Sequence, residues 1–321
     1  MNDKCSKARD EKRYERCIGK EGFARYAPGV CGMTDASEAY KALFCRTFID
    51  THRDFEPADL PWPNLDAKTI DRLSSIPFWT VALASESNAG YMVSAFAETL
   101  GDPLLREAMA LQGKEETRHA RLLYEMLRRY GIPFEPPKAA QVKASSRAFI
   151  DFGYEECIDS FFGFGIFGLA RRIQLFVPEL TDIFEVVLLE EARHVTFFVN
   201  WIAYDRRLRG RAWAPLEAAS TALGYARALR RIVTTFAPSA RNGQKVRGTG
   251  FAAEGTFAVF DGVTWRTFLQ ACLTENERYL RGFDPRLLTP RVLPVMARMA
   301  LSLPSRPRFR RSATRSASPR A

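Results

Sequence analysis

Several features are scarce or missing in this sequence of 321 residues, and each absence excludes a class of protein. No run of eighteen apolar residues occurs, and the nearest approach, at residues 161–170, is too short to cross a bilayer. The first residues are charged and lack the apolar segment of a secretory signal, so we expect a cytoplasmic protein without a membrane partner. The two-residue alternation that marks β-strands is rare, which predicts an all-α fold.

Cysteine pairs with the spacing of metal sites are also missing. All six cysteines lie outside any CxxC motif, so zinc-ribbon and rubredoxin-type sites are not expected. Reduced thiols are predicted, because disulfide scaffolds belong mostly to small secreted chains.

Acidic residues are missing from the C-terminal end, and this explains much of the net charge of +10. Residues 305–321 contain six arginines and no acid. An Arg/Ser/Pro-rich segment cannot build a core, so we predict a disordered basic tail. A solubilising role is favoured over contact with an acidic partner, and nucleic acid is not expected as a partner.

The chain divides into four parts by composition and pattern. Residues 1–65 are predicted as an N-terminal arm and connector, residues 66–210 as a four-helix bundle, residues 211–302 as a C-terminal helical extension, and residues 303–321 as the basic tail. Helices are predicted at residues 36–51, 75–100, 103–130, 144–176, 180–207, 214–235, 264–282 and 285–302.

Three finer expectations concern the start of one helix and the segment between two others. Ser75 is predicted to cap the first long helix, and Pro77 suits its first turn. The Gly-rich segment at residues 240–265 is predicted to contain a short strand pair.

Histidine is the scarcest informative residue, since the chain has only three. Two of them close the same pattern, Glu-Glu-x-Arg-His, in box 1 (residues 115–119) and box 2 (residues 190–194). The second glutamate and the histidine of each box are three residues apart, so they share one face of a helix. A carboxylate oxygen beside an imidazole nitrogen is a suitable ligand pair for a first-row metal. The four candidates are Glu116, His119, Glu191 and His194.

A two-metal site of this kind needs one more glutamate from each of two other helices. Glu86 lies in the middle of the helix at 75–100, on an apolar face where a lone carboxylate is costly unless it is paired. In the helix at 144–176, the candidates are Glu155 and Glu156.

Helical phase favours Glu156 over Glu155, without excluding the latter. Glu155 falls on a line with Asp151 and other charged residues that we interpret as the solvent face, whereas Glu156 lies on the apolar line. Asp159, one turn further, is an additional carboxylate near the same level.

At these residues, over positions 75–207, the chain resembles the ferritin-like di-iron carboxylate superfamily. The boxes are similar to those of the acyl carrier protein desaturases and the p-aminobenzoate N-oxygenases, which carry an acid-Glu-x-Arg-His pattern twice. The resemblance implies a ferritin-like four-helix bundle with extra C-terminal helices that binds two iron ions, with manganese or an iron–manganese pair as open alternatives. The implied ligands, which are also the implied catalytic residues, are Glu86, Glu116, His119, Glu156, Glu191 and His194.

The resemblance also implies roles within the boxes. Glu116 and Glu191 are expected to bridge the two metals. The first acid of each box, Glu115 or Glu190, is expected to hold the other ring nitrogen of a ligand histidine.

The arginines of the boxes leave two alternatives open. Arg118 and Arg193 either pair with these acids or reach solvent. Their helical positions, like those of Lys114 and Arg121, are predicted to point outward.

The subfamily is less defined than the superfamily. The N-oxygenases have an extra histidine where this chain has Val187, which argues against arylamine N-oxygenation. The expected function is still an oxidoreductase that uses dioxygen to hydroxylate, desaturate or N-oxygenate a small organic substrate, with an electron donor protein as partner and a homodimer as an option.

Two alternatives remain: an iron-handling or peroxide-scavenging protein, and a metal-free helical interaction protein. The extra helices after residue 210 favour the enzyme, because iron storage needs only four or five helices.

Further expectations concern a pocket and two single residues. A pocket is predicted between the Phe/Gly-rich segment 161–168 and aromatic side chains, and close helix packing is the favoured alternative for its glycines. Ser160 is hypothesised to hydrogen-bond bound oxygen species, and His52 is predicted to be a surface or connector residue. The predicted aromatic lining is Trp79, Tyr91, Phe198 and Trp201.

Overall fold

The computed structural model describes residues 36–76, 79–137, 144–211, 213–241 and 263–303. These ranges contain nine α-helices, one short 3-10 helix and no β-strand, which confirms the all-α prediction. The helices are α1 (Glu38–Asp50), α2 (Ala67–Ser74), α3 (Trp79–Ala97), α4 (Pro103–Arg129), α5 (Ser146–Arg172), α6 (Pro178–Leu208), α7 (Ala214–Arg241), α8 (Trp265–Leu280) and α9 (Val292–Ser302). Within the described ranges, none of them combines the length and apolarity needed to cross a membrane.

Several predictions fall outside the described residues. These are the N-terminal arm to residue 35, the first-turn position of Pro77, the strand pair within residues 242–262, and the disordered tail. The division of the chain into four parts stays a prediction.

The four long helices α3 to α6 agree with the predicted ones to within four residues at each end. Local chemistry sets their bounds. The Asp102 carboxylate accepts hydrogen bonds from the backbone of Leu104 and Leu105, both at 3.0 Å, and so caps α4. α5 ends before Gln174, whose φ of 52° breaks the helical repeat.

The predicted cap at Ser75 is wrong. Asp66 accepts a hydrogen bond from the backbone of Thr69 and begins a separate short helix, α2. Ser75 is the C-terminal cap of α2 and does not start α3. Between α1 and α2, residues 51–65 form the connector, which contains the 3-10 helix Pro57–Asp59.

The last helix begins seven residues later than predicted. Residues 281–291 form turns instead of helix. Asp284 accepts a hydrogen bond from the backbone of Arg286 at 2.9 Å and pairs with its guanidinium, and this stabilises the turn before α9.

Two apolar clusters show in which direction each long helix runs. Cluster A includes Phe44, Phe96, Met109, Phe149, Phe198 and Trp201, and cluster B includes Trp79, Leu83, Met126, Phe161, Leu169 and Phe184. Along the chain, α3 and α6 contribute first to cluster B and then to cluster A, whereas α4 and α5 contribute in the opposite order. Hence α4 and α5 run parallel, and the end of α4 and the start of α5 lie at opposite ends of the bundle.

The C-terminal helices cover α5. A Cβ atom added at Gly165 would lie 2.3 Å from Sγ of Cys272 on α8, so these two helices are in close contact. On α7, Arg227 hydrogen-bonds Asp151 at 2.9 Å. The face of α5 predicted to meet solvent is therefore buried in part under α7, and Asp151 is only 8% exposed.

Candidate metal centre

The two boxes lie at the same level of the bundle, between clusters A and B. Box 1 on α4 faces box 2 on α6, which runs antiparallel to it. Glu116, His119, Glu191 and His194 are buried, and each offers one ligand atom within 4.8 Å of the others. This group can hold a metal ion.

Each box supplies the hydrogen-bond acceptor for the histidine of the other box. Nε2 of His119 lies 2.8 Å from Oε2 of Glu190, and Nε2 of His194 lies 2.8 Å from Oε2 of Glu115. An ionised carboxylate only accepts, so Nε2 of each ring carries the hydrogen and donates it. The expected contact between the box acids and the histidines is thus present, and it crosses from one box to the other.

The other nitrogen of each ring faces inward without a hydrogen bond. Nδ1 of His119 is 3.0 Å from Oε1 of Glu191, and Nδ1 of His194 is 3.0 Å from Oε1 of Glu116. Both Nδ1 atoms and Oε2 of Glu116 are buried and have no hydrogen-bond partner in the described part of the chain. Buried polar atoms almost always have partners. A shared cation would satisfy all three atoms, so these residues fit a metal.

The charges of these groups depend on one another. Burial lowers the pKa of both histidines, but the surrounding carboxylates outweigh it and raise the pKa of His119 and His194 well above the usual value. Burial raises the pKa of Glu191, but the two adjacent histidines hold it far below its usual range. In the metal-free chain the carboxylates therefore favour the protonated form of both rings, and a bound cation would compete with those protons.

Glu86 joins the group from α3. Its Oε2 lies 3.5 Å from Nδ1 of His119. Burial, together with the charges of Glu191 and Glu116, raises the pKa of Glu86 to about 7. The Glu86 side chain is 26% exposed, against 0% for Glu116 and 11% for Glu191. The site is therefore more open toward α3 than between α4 and α6.

On α5, Glu156 faces the centre and Glu155 faces away from it. Burial and the charges of three other glutamates raise the pKa of Glu156 well above its usual value. Glu155 instead pairs with Arg231 on α7. Helical phase selects the inward residue correctly, although the opposite face meets α7 and not only solvent.

The predicted outward positions of Arg118 and Arg193 are wrong. Both side chains are buried, at 3% and 7% exposure, whereas Lys114 and Arg121 are exposed as predicted. The reason is that α1 and the connector cover this side of the bundle. The guanidinium of Arg118 lies 4.1 Å from the ring centre of Phe55.

The buried arginines neutralise the acids behind the histidines. Nη2 of Arg118 is 2.5 Å from Oε1 of Glu190, and Nη1 of Arg193 is 2.8 Å from Oε1 of Glu115. His52, Glu115 and Glu190 form a second group with possible metal ligands. Because two guanidiniums already occupy its oxygens, we interpret it as the outer hydrogen-bond layer of the centre.

His52 lies in the connector, which is one of its two predicted placements, but it is not exposed at the surface. Its side chain is 16% exposed, and its Nδ1 lies 2.5 Å from Oε1 of Glu115. The two residues are 63 positions apart. No local pattern in the connector indicates this contact, so sequence reasoning had no signal for it.

The predicted pocket is partly wrong. Tyr91 is 60% exposed and points away from the core, whereas Trp79, Phe198 and Trp201 are buried within clusters A and B. Gly165 is where α8 approaches α5, which supports close packing as the reason for that glycine.

Two polar residues of α5 lie beside the ligand group. Oγ of Ser160 is 3.5 Å from Oε2 of Glu191. Oδ1 of Asp159 is buried without a hydrogen-bond partner among the described residues. Burial and the charges of Glu155, Glu86 and Glu191 raise the pKa of Asp159 to about 8. The surroundings of Asp159 therefore favour its protonated form.

Comparisons of the chain with protein-family models, with curated proteins and with solved structures found no match.

Proposed function

We propose that this chain is a ferritin-like oxidoreductase that holds two iron ions and uses dioxygen to oxidise a small organic substrate. The observation that carries the proposal is the cross-box pairing, which orients both histidines with Nδ1 toward one point where three buried polar atoms lack partners. The proposed ligands are Glu86, Glu116, His119, Glu156, Glu191 and His194.

The number of ligand groups favours two divalent ions over one. With all four glutamates ionised and both imidazoles neutral, the set carries four negative charges, which two divalent cations neutralise. A single cation would leave two of the glutamates to be neutralised by protons, as the raised pKa values of Glu86 and Glu156 allow, and would leave part of the ligand set unused. Iron and manganese both suit mixed oxygen and nitrogen ligands, and the resemblance to di-iron proteins favours iron.

The positions of the two central glutamates support the proposed bridging role. Glu116 places Oε1 3.0 Å from Nδ1 of His194 and Oε2 3.8 Å from Nδ1 of His119. Glu191 places Oε1 3.0 Å from Nδ1 of His119 and Oε2 3.6 Å from Nδ1 of His194. Each carboxylate thus directs one oxygen toward each histidine.

The helix directions support the ferritin-like part of the proposal. Because α4 and α5 are parallel, the end of α4 and the start of α5 lie at opposite ends of the four-helix unit, as in a bundle with a crossover between its second and third helices. Ferritin-like folds have one such crossover, unlike up-and-down bundles with short loops throughout.

The protein's part in the reaction is to hold, orient and shield. Two ferrous ions, when bound, supply two electrons to dioxygen. Clusters A and B exclude water from both ends of the site, and the more exposed side at Glu86 is where a substrate approaches. Returning the site to its reduced state requires electrons from outside, and an electron donor protein is the proposed source.

Metal content tests the centre. We expect close to two irons per chain, by elemental analysis, in protein from iron-supplemented cells, and loss of both in the Glu116→Ala/Glu191→Ala variant. The matched control is Glu107→Ala/Glu179→Ala, which removes one exposed glutamate from each of the same two helices. An absence of metal in the unmodified protein, even after anaerobic reconstitution, contradicts the proposal and favours the metal-free interaction protein.

Oxygen consumption separates the enzyme from iron handling. An oxygenase reduced with two ferrous ions per chain should consume about one dioxygen and then stop until substrate and reductant are added. Continued consumption of dioxygen with added ferrous iron alone, or consumption of added peroxide without an organic substrate, would instead identify the iron-handling alternative.

A further inference from the structure

The two box acids differ in their surroundings. In the described part of the chain, Glu190 is bonded by His119 and Arg118. Glu115 is bonded by His194 and Arg193 and, in addition, by His52. The sequence repeat is symmetric, but among the described residues only Glu115 has a third hydrogen-bond partner, and Arg118 also approaches it to 4.0 Å.

The position of His52 is fixed by α6. Oγ1 of Thr51, the residue before His52, accepts a hydrogen bond from Nε of Arg193 at 3.0 Å. The carbonyl of Phe48 accepts one from Nη2 of Arg193 at 2.6 Å. The backbone N–H of His52 donates to the carbonyl of Ile49 at 3.1 Å. The backbone around His52 is thus held beside box 2.

The ring of His52 has one polar contact. Its Nδ1 meets Oε1 of Glu115, while its Nε2 is buried without a hydrogen-bond partner among the described residues. Oε1 of Glu115 therefore accepts from both His52 and Arg193, and its other oxygen is left to His194.

We propose that His52 is a positioning residue for one half of the centre: it holds Glu115 so that the ring of His194, but not that of His119, is locked in the metal-binding orientation. This inference depends on the proposed two-metal centre and adds that its two positions are unequal. Partners of ligand histidines set ring orientation, and their loss typically lowers metal affinity about 10- to 100-fold. His52 is one bond further out, so the effect belongs at the lower end.

Cobalt(II) titration is the test, followed by visible absorption and calorimetry on the full chain. We expect the unmodified protein to bind two Co²⁺. In His52→Phe, which keeps an aromatic ring but lacks the N–H, one Co²⁺ should bind about tenfold more weakly and the other with unchanged affinity. His52→Asn, whose amide can donate from the position of Nδ1, should restore binding to within about threefold.

A double-substitution cycle assigns the affected position. In the His194→Ala variant, adding His52→Phe should change the affinity for the one remaining Co²⁺ by less than about twofold, because both substitutions act on the same metal position. With His119→Ala, adding His52→Phe should still cost about tenfold. Arg53→Ala, an exposed neighbour on the connector, is the control.

Two results overturn the inference while leaving the two-metal centre in place: equal weakening of both Co²⁺ ions by His52→Phe, or no weakening of either. If the unmodified protein binds no Co²⁺, the proposed function itself fails, and this inference with it. Should His52→Phe not fold by circular dichroism, His52→Leu takes its place in the same titrations.

Discussion

At the scale of residues, each histidine depends on an acid that is distant in sequence. The contact between His119 and Glu190 spans 71 positions, and that between His194 and Glu115 spans 79. The effect of such an acid on the ring is electrostatic as well as geometric, because the carboxylate makes the imidazole a stronger donor to a metal.

The substitution Glu190→Gln removes the charge of this acid but nearly keeps its shape. The amide oxygen can still accept from Nε2 of His119, but the negative charge is lost, so we expect the affinity for one Co²⁺ to fall about 10- to 100-fold. Isothermal titration measures this. Glu179→Gln, an exposed glutamate on the same helix, is the control, and equal affinity in both variants would show that the acid is unimportant.

Glu86 makes metal binding depend on pH. Its raised pKa of about 7 means that, in the metal-free chain, the carboxyl is protonated below that pH and must lose its proton when a cation binds. The apparent affinity for Co²⁺ should therefore rise from about pH 6 to about pH 8, and Glu86→Gln should reduce the slope by up to about one proton below about pH 7 and by progressively less above it. Titrations at several pH values give the slope, and an identical slope in the variant would argue against a role for Glu86 in proton release.

At this scale, the sequence predicts the inward residues well and the outer ones poorly. The repeated boxes and helical phase suffice for the two histidines and for Glu156 over Glu155. Arg118 and Arg193 are misjudged because their burial comes from α1 and the connector, and a helical wheel of α4 or α6 contains no information about another element. His52 is missed for the same reason.

At the scale of elements, helix bounds are predictable where a cap or a breaker is local. Asp102 caps α4 and Pro103 occupies its first turn, so two adjacent residues mark the start of this helix. The short helix α2 and the turn before α9 are not predicted from the apolar pattern. In each case a side chain that bonds the nearby backbone, Asp66 or Asp284, decides the outcome.

Two glycines on one helix provide a matched test of how α8 packs on α5. A methyl group at Gly165 would collide with Cys272, including its backbone nitrogen at 2.9 Å, whereas one at Gly163 meets nothing within 4 Å. We expect Gly165→Ala to lower the free energy of unfolding by about 1–3 kcal/mol through overpacking. Gly163→Ala should raise it by up to about 1 kcal/mol, since alanine favours helix. Urea unfolding of both variants is the measurement, and similar values for the two would show that α8 does not pack closely there.

At the scale of the whole molecule, the centre places like charges together inside the bundle. Without a metal, the glutamates are compensated only by protons, including those on the two histidines with raised pKa values. A ligand that binds only the folded chain stabilises it, by about 2.7 kcal/mol for one site at a hundredfold excess over Kd. We therefore expect Co²⁺ to raise the thermal midpoint of the unmodified protein and to leave that of Glu116→Ala/Glu191→Ala unchanged, as measured by calorimetry.

The exchange of acids between the boxes also has a consequence for how the molecule can be divided. A fragment ending after α4 contains His119 but not Glu190, and the complementary fragment contains His194 but not Glu115. Each half of the internal repeat therefore lacks the group that orients its own histidine. The two helical hairpins form a reciprocal pair, and a substitution in one box has its first effect on the ring of the other.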